Sequence, residues 1–126
     1  MSMRTPLKNV RHLGSAKEGA DHFWQQRITA VANIILGIFL VGLIASLAGQ
    51  SHGAIKEALA NPLIAIALLL LIFSGIYHMR LGMQVIIEDY IHTESRKIVF
   101  LMLNTFFTIA VGLASAFAIL KINFGI

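Results

Sequence analysis

The chain has 126 residues, enough for one compact unit and not for two. Apolar residues make up 57% of it and charged residues 13%, about half the charge of an ordinary soluble domain, which excludes a soluble enzyme and a disordered tail. Ten Lys and Arg against six Asp and Glu give a net charge of +4, and the absence of cysteine excludes disulfides, thiolate nucleophiles and Cys-ligated clusters.

Residues 1–23 read as a polar N-terminal segment, and the first span covers about 24–49. Its centre, ITAVANIILGIFLVGLIASLA at 28–48, runs 21 residues without a charge. The polar stretch before it and its own length argue for a retained helix over a cleaved signal. A short loop follows, GQSHGAIKEALAN, with one interfacial turn expected around 55–59. Pro62 suits the first turn of the second span, about 62–90, where its missing N–H costs nothing. An inner loop at about 91–96 makes the second and third spans antiparallel neighbours. The third span, about 97–121, is uncharged for 23 residues from Ile98 to Leu120. A hydrocarbon core roughly 30 Å thick needs about 20 helical residues, and lipid leaves no other way to pair the backbone of so short a chain. The fold class is an all-α membrane protein of three transmembrane helices. Ala110, Ala114 and Ala118 recur every four residues on the third span, a spacing that suggests a close helix–helix contact.

Lys and Arg set the orientation. Arg4, Lys8, Arg11, Lys17 and Arg27 precede the first span, and Arg96 and Lys97 sit in the second loop. Only Lys56 and Lys121 lie on the opposite side, which puts the N-terminus in the cytoplasm. Trp24 and Tyr90 then both fall at the cytoplasmic interface, where amphipathic rings are favoured.

Polar groups inside the spans need a reason. His78 lies about 24 Å along the second helix from Pro62, inside the hydrocarbon, where an ionisable group is costly. A metal or haem ligand, a proton relay and a neutral imidazole bonded to a neighbouring helix are all open to it. Gly82 lies about 40° from it on the helical wheel and leaves room for a flat group. Asp89 lies about 20° from it, so that His78, Gly82 and Asp89 are expected to share a cavity. Arg80 points roughly 160° away and reads as a cation snorkelling to the headgroups. Asp89 and Tyr90 are either interfacial residues or a phenol and acidic neighbour serving a quinone carbonyl. Arg27 is either a positive-inside anchor or a partner for a carboxylate or propionate. Thr29 and Asn33 are expected to bond between helices. His12, His52 and His92 lie in the tail and loops and are assigned no role.

The segment HMRLGMQVIIEDY, His78 to Tyr90, has the pattern H-x3-G-x6-D-Y. It resembles the hydrophobic membrane-anchor subunits of succinate dehydrogenase, the small cytochrome b chains of respiratory complex II. The stretch GSAKEGADHFWQQRITA, with His22 and Arg27 entering the first span, looks like the bacterial members. The resemblance implies a subunit of succinate:ubiquinone oxidoreductase in the bacterial inner membrane, with no complete active site of its own. It implies packing against a second three-helix anchor, the cytochrome b large subunit, and a haem b shared with it. It also implies an iron–sulfur subunit and a flavoprotein subunit, which carry the clusters and the FAD. By position, His78 would be an axial ligand of the haem iron, Tyr90 would bond ubiquinone, and Asp89 would be its acidic neighbour. Arg27 would lie near the haem propionates or the quinone pocket. A fumarate reductase anchor shares this architecture, and a non-redox transport or assembly protein is the alternative from another class. Bis-imidazole ligation needs a second His, and no other His of this chain lies within a span, so any such haem must be held by an assembly.

Overall fold

The computed structural model describes residues 5–10 and 18–126. The cationic positions Arg4, Arg11 and Lys17 of the orientation argument lie outside the described residues, as does His12. The described residues form five helices: α1 (Pro6–Val10), α2 (Glu18–Leu47), α3 (His52–Ala60), α4 (Pro62–Tyr90) and α5 (Glu94–Phe124). Three of them, α2, α4 and α5, are long and apolar enough to cross a membrane.

The spanning helices overrun their charge-free cores. α2 begins at Glu18, with Glu18 and Asp21 in its first turn, where the helix dipole favours acidic groups. α5 starts at Glu94, leaving a three-residue connection in place of the six expected, and continues past Lys121 to Phe124. Charge marks where hydrocarbon ends, and the helix itself stops later, where its caps are.

Those caps shape the corners. Asn61 ends α3 and starts α4 at once. Its N–H donates to Ala58 O at 3.2 Å, and its side-chain oxygen accepts from Leu63 N at 2.9 Å. With Pro62 next, the chain turns sharply on a single residue. Ser51 caps α3 by accepting from Ala54 N at 3.2 Å, and the expected single turn is a nine-residue helix. Asn123 near the end of α5 donates to Leu59 O and Ala60 O at 3.1 and 2.9 Å, satisfying carbonyls that the end of α3 leaves open. Gly49 after α2 and Gly125 after α5 take positive φ values of 78° and 70°, the left-handed turn that glycine enters at no steric cost.

α4 lies between α2 and α5 and packs along both, while α2 and α5 share at most a marginal contact. α3 closes one end by packing on α4 and α5. Against α5, Ile76 of α4 fits over Gly112, where an added Cβ would meet it at 3.6 Å. Thr108 is buried at 2% exposure and turns its hydroxyl back to Thr105 O, while Asn104 donates to Arg80 O across the helix pair at 3.1 Å. Ala65, Leu68, Leu81 and Ile87 are the buried apolar residues among those described. All four are on α4, as expected of the middle helix of a layer.

The alanine ridge is not the face on which α5 meets α4 within the chain. Ala110, Ala114 and Ala118 are exposed, and α5 meets α4 through the face of Asn104, Thr108 and Gly112. Small residues repeat on more than one face of α5, and spacing alone does not say which face is turned inward. Large apolar side chains cover the outside, Ile38, Leu113 and Phe117 among them. In water such a surface would aggregate. In lipid it is the solvent-facing surface.

Candidate functional site

α2 carries a polar stripe at His22, Gln26, Thr29 and Asn33, spaced by four, three and four residues, so that all four share one helix face. That face meets α4 at Ser74, Gly75, His78 and Gly82. Two contacts converge on Thr29. Ser74 Oγ donates to its carbonyl oxygen at 3.2 Å, and His78 Nδ1 lies 3.0 Å from its Oγ1. The same Oγ1 is 2.7 Å from Gln25 O and 3.2 Å from Gln26 O on its own helix. A third bond, from Tyr77 Oη to Gln25 Oε1 at 2.8 Å, fixes the register of the two helices from the flank.

A hydroxyl has one proton to give. The shortest of Thr29's three contacts runs to Gln25 O, an acceptor only, so the proton goes there. A lone pair of Oγ1 then accepts from His78 Nδ1–H. A neutral imidazole that donates from Nδ1 is the tautomer whose Nε2 carries a free lone pair, the form that binds metal ions. His78 is half-buried, and its Nε2 makes no hydrogen bond among the described residues.

The other expected site residues are not gathered around it. At Gly82 the nearest group is the Gln26 amide nitrogen, 3.6 Å from where a Cβ would stand, an ordinary contact with the end of a side chain from α2. Asp89 is exposed near the end of α4. Tyr90 is 78% exposed at the last position of α4. Arg27 points away from the polar seam, with its guanidinium 4.8 Å over the Phe23 ring, and Phe23 stacks edge-on to Trp24 at 5.9 Å. Asn33 faces α4 beside Gly75, yet its Oδ1 has no bonding partner, so only Thr29 of the two expected interhelical bonders makes a bond.

A cleft of about 510 Å³ that sequence reasoning did not foresee opens where the start of α2 meets the last turns of α4. Glu18, Asp21, His22, Arg80, Gln84 and Glu88 are in its wall. Arg80 borders both this cleft and an apolar groove between α4 and α5, and Gln84 donates to Glu88 at 2.8 Å along the cleft wall. His22 Nε2 and Gln26 Oε1 are buried without partners. Their spacing with Thr29 was the available signal, since polar residues at i, i+4, i+7 on an apolar helix mark a face that is not turned to lipid.

Comparison with known proteins decides the family. The model for the succinate dehydrogenase/fumarate reductase transmembrane subunit matches residues 1–112. The chain belongs to that family. It is 35% identical over 88 residues to the succinate dehydrogenase hydrophobic membrane anchor subunit of Rickettsia bellii, covering 70% of each chain. It is 29% identical over 121 residues to the subunit of that name from Paracoccus denitrificans, covering 96% of this chain and 93% of the relative. The succinate dehydrogenase membrane anchor subunit of Reclinomonas americana is 30% identical over 99 residues, 76% of this chain and 82% of the relative. No solved structure matches the chain. As a succinate dehydrogenase membrane-anchor subunit, the protein is part of an oxidoreductase complex and implies partner subunits. Its three apolar helices fit a multi-pass protein of the inner membrane.

Proposed function

We propose that this anchor subunit supplies one axial ligand, His78 Nε2, to a haem b shared with a second anchor subunit, and presents Tyr90 to ubiquinone. The observation that carries the reading is the state of His78: mid-span, half-buried, with Nδ1 occupied by Thr29 and Nε2 left as a free donor. The donor set fits a haem. No group of three metal-ligating side chains occurs among the described residues, and a shared haem asks this chain for one imidazole only. When bound, the haem is a one-electron carrier between partners. Arg27, directed away from the seam on the Phe23 face, suits an anionic group of a neighbouring subunit better than one beside His78. At the end of α4, the Tyr90 hydroxyl donates to a quinone carbonyl, with Asp89 as its acidic neighbour. An iron–sulfur subunit and a flavoprotein subunit deliver electrons from succinate. The N-terminus faces the cytoplasm, on the same side as Tyr90. The family also includes fumarate reductase anchors, which run the same chemistry in the opposite direction.

A reduced-minus-oxidised visible spectrum of the detergent-purified complex, taken before and after succinate, tests the haem. A b-type band is expected, reducible through succinate or its product quinol, and lost or altered in His78→Ala. A complex with neither haem nor flavin overturns the reading, and an unaltered bis-imidazole signal in His78→Ala overturns the ligand.

A further inference from the structure

We infer that Thr29 is a positioning residue for the metal-binding nitrogen of His78, an inference that rests on the ligand reading above. A helix side chain needs two constraints to aim a ring nitrogen: a fixed rotamer and a fixed tautomer. Thr29 supplies both from the neighbouring helix, because its Oγ1 is 3.0 Å from His78 Nδ1 and its own proton is committed to Gln25 O at 2.7 Å. Ser74, one turn from His78 on the same face, donates to the backbone carbonyl of Thr29 at 3.2 Å and not to its hydroxyl, so it joins the two helices without entering the bonds that reach the imidazole. A hydroxyl that donates to a carbonyl is polarised and becomes a better acceptor for the next bond in the chain. Gln25 O, Thr29 Oγ1 and His78 Nδ1 form such a chain, and it ends on the ring whose opposite nitrogen is free. Accepting from Nδ1–H makes Nε2 a stronger donor, and partners of this kind orient ligating histidines and raise their basicity. Stronger donation favours ferric over ferrous iron, so the Thr29 hydroxyl holds the potential of a haem bound at His78 down.

No other polar group of the seam does this. Gln26 and Asn33 carry buried oxygens without partners, although both lie on the same face of α2. The Oγ1 of Thr29 is the side-chain atom of α2 that bonds the imidazole.

The test uses the complete detergent-solubilised complex with Thr29→Val, Thr29→Ser or Ser74→Ala. Haem per flavin, midpoint potential and the low-spin ferric resonance are measured in each. Thr29→Val keeps the shape and removes the acceptor. It is expected to raise the potential, shift the resonance and weaken haem retention, with an effect on the order of tenfold. Thr29→Ser keeps a hydroxyl and is expected to restore the parent values. Ser74→Ala loosens the same seam without touching the imidazole and is expected to leave the potential unchanged. Should Thr29→Val not assemble, Thr29→Ala removes the hydroxyl without adding bulk and carries the same expectation. Parent values in all three readouts for the Val or Ala variant overturn the inference, and so does an equal shift in Ser74→Ala. Haem lost in His78→Ala beside an unchanged Thr29→Val sinks the positioning role alone. Haem intact in His78→Ala sinks the ligand reading, and the inference with it.

Discussion

Tyr90 and His78 lie 12 residues apart on one helix, about 18 Å along its axis, and their surroundings differ completely. His78 is clasped by α2, while Tyr90 stands at the helix end, 78% exposed among the described residues. Under the proposed role, Tyr90→Phe removes one hydrogen bond and leaves the ring. Quinone reduction by the complex should fall roughly threefold to tenfold, the worth of about one such bond. Succinate oxidation with an artificial dye acceptor should persist. Unchanged quinone kinetics would exclude the phenol from the site.

At the scale of the helices, one residue joins α3 to α4 and one side chain ties α5 to α3. Asn61→Ala deletes the side-chain cap on Leu63 N while leaving the backbone bond to Ala58. A lost N-cap costs about 1 kcal/mol, so the thermal unfolding midpoint of the purified complex should drop by a few degrees with the haem spectrum unchanged. A midpoint equal to the parent would show that Pro62 alone sets the corner.

The three spans were legible in the sequence because lipid makes charge-free length a strong signal, and Pro62 marked the start of α4 correctly. Helix ends were less legible, since α2 and α5 run past their charge-free cores, to Glu18 at the start of α2 and to Phe124 at the end of α5. The alanine ridge turned out not to be the α4-facing side of α5, because a period of four identifies a face without identifying its neighbour. Thr29 was expected to bond across helices, but its partner could not be named: a bond between residues 49 apart depends on the register of two helices. The room attributed to Gly82 was real and was filled from within the chain by Gln26.

The whole molecule is a layer one helix thick, with α4 in the middle and two broad apolar faces. The proposed orientation rests on the sequence count of seven cations before the first span and in the second loop against two elsewhere outside the spans, and the absence of cysteine makes it easy to test. Gln50→Cys in the loop before α3 should react with a membrane-impermeant maleimide added outside the cell. His92→Cys, in the three-residue loop after α4, should react only after the membrane is opened. The reverse pattern would invert the proposed topology.

The seam between α2 and α4 also constrains how the chain is made. α2 leaves the ribosome first, and the helix that covers its polar stripe is separated from it by all of α3. Until α4 arrives, Gln26, Thr29 and Asn33 meet either lipid or the insertion machinery, and the hydroxyl that accepts from His78 has no imidazole to serve. α5 touches neither that stripe nor, beyond a marginal contact, α2 itself. The α2–α4 hairpin is thus the first self-sufficient unit of biogenesis. Within that hairpin Thr29 already lies against His78, so the contact that orients the imidazole asks nothing of the third span.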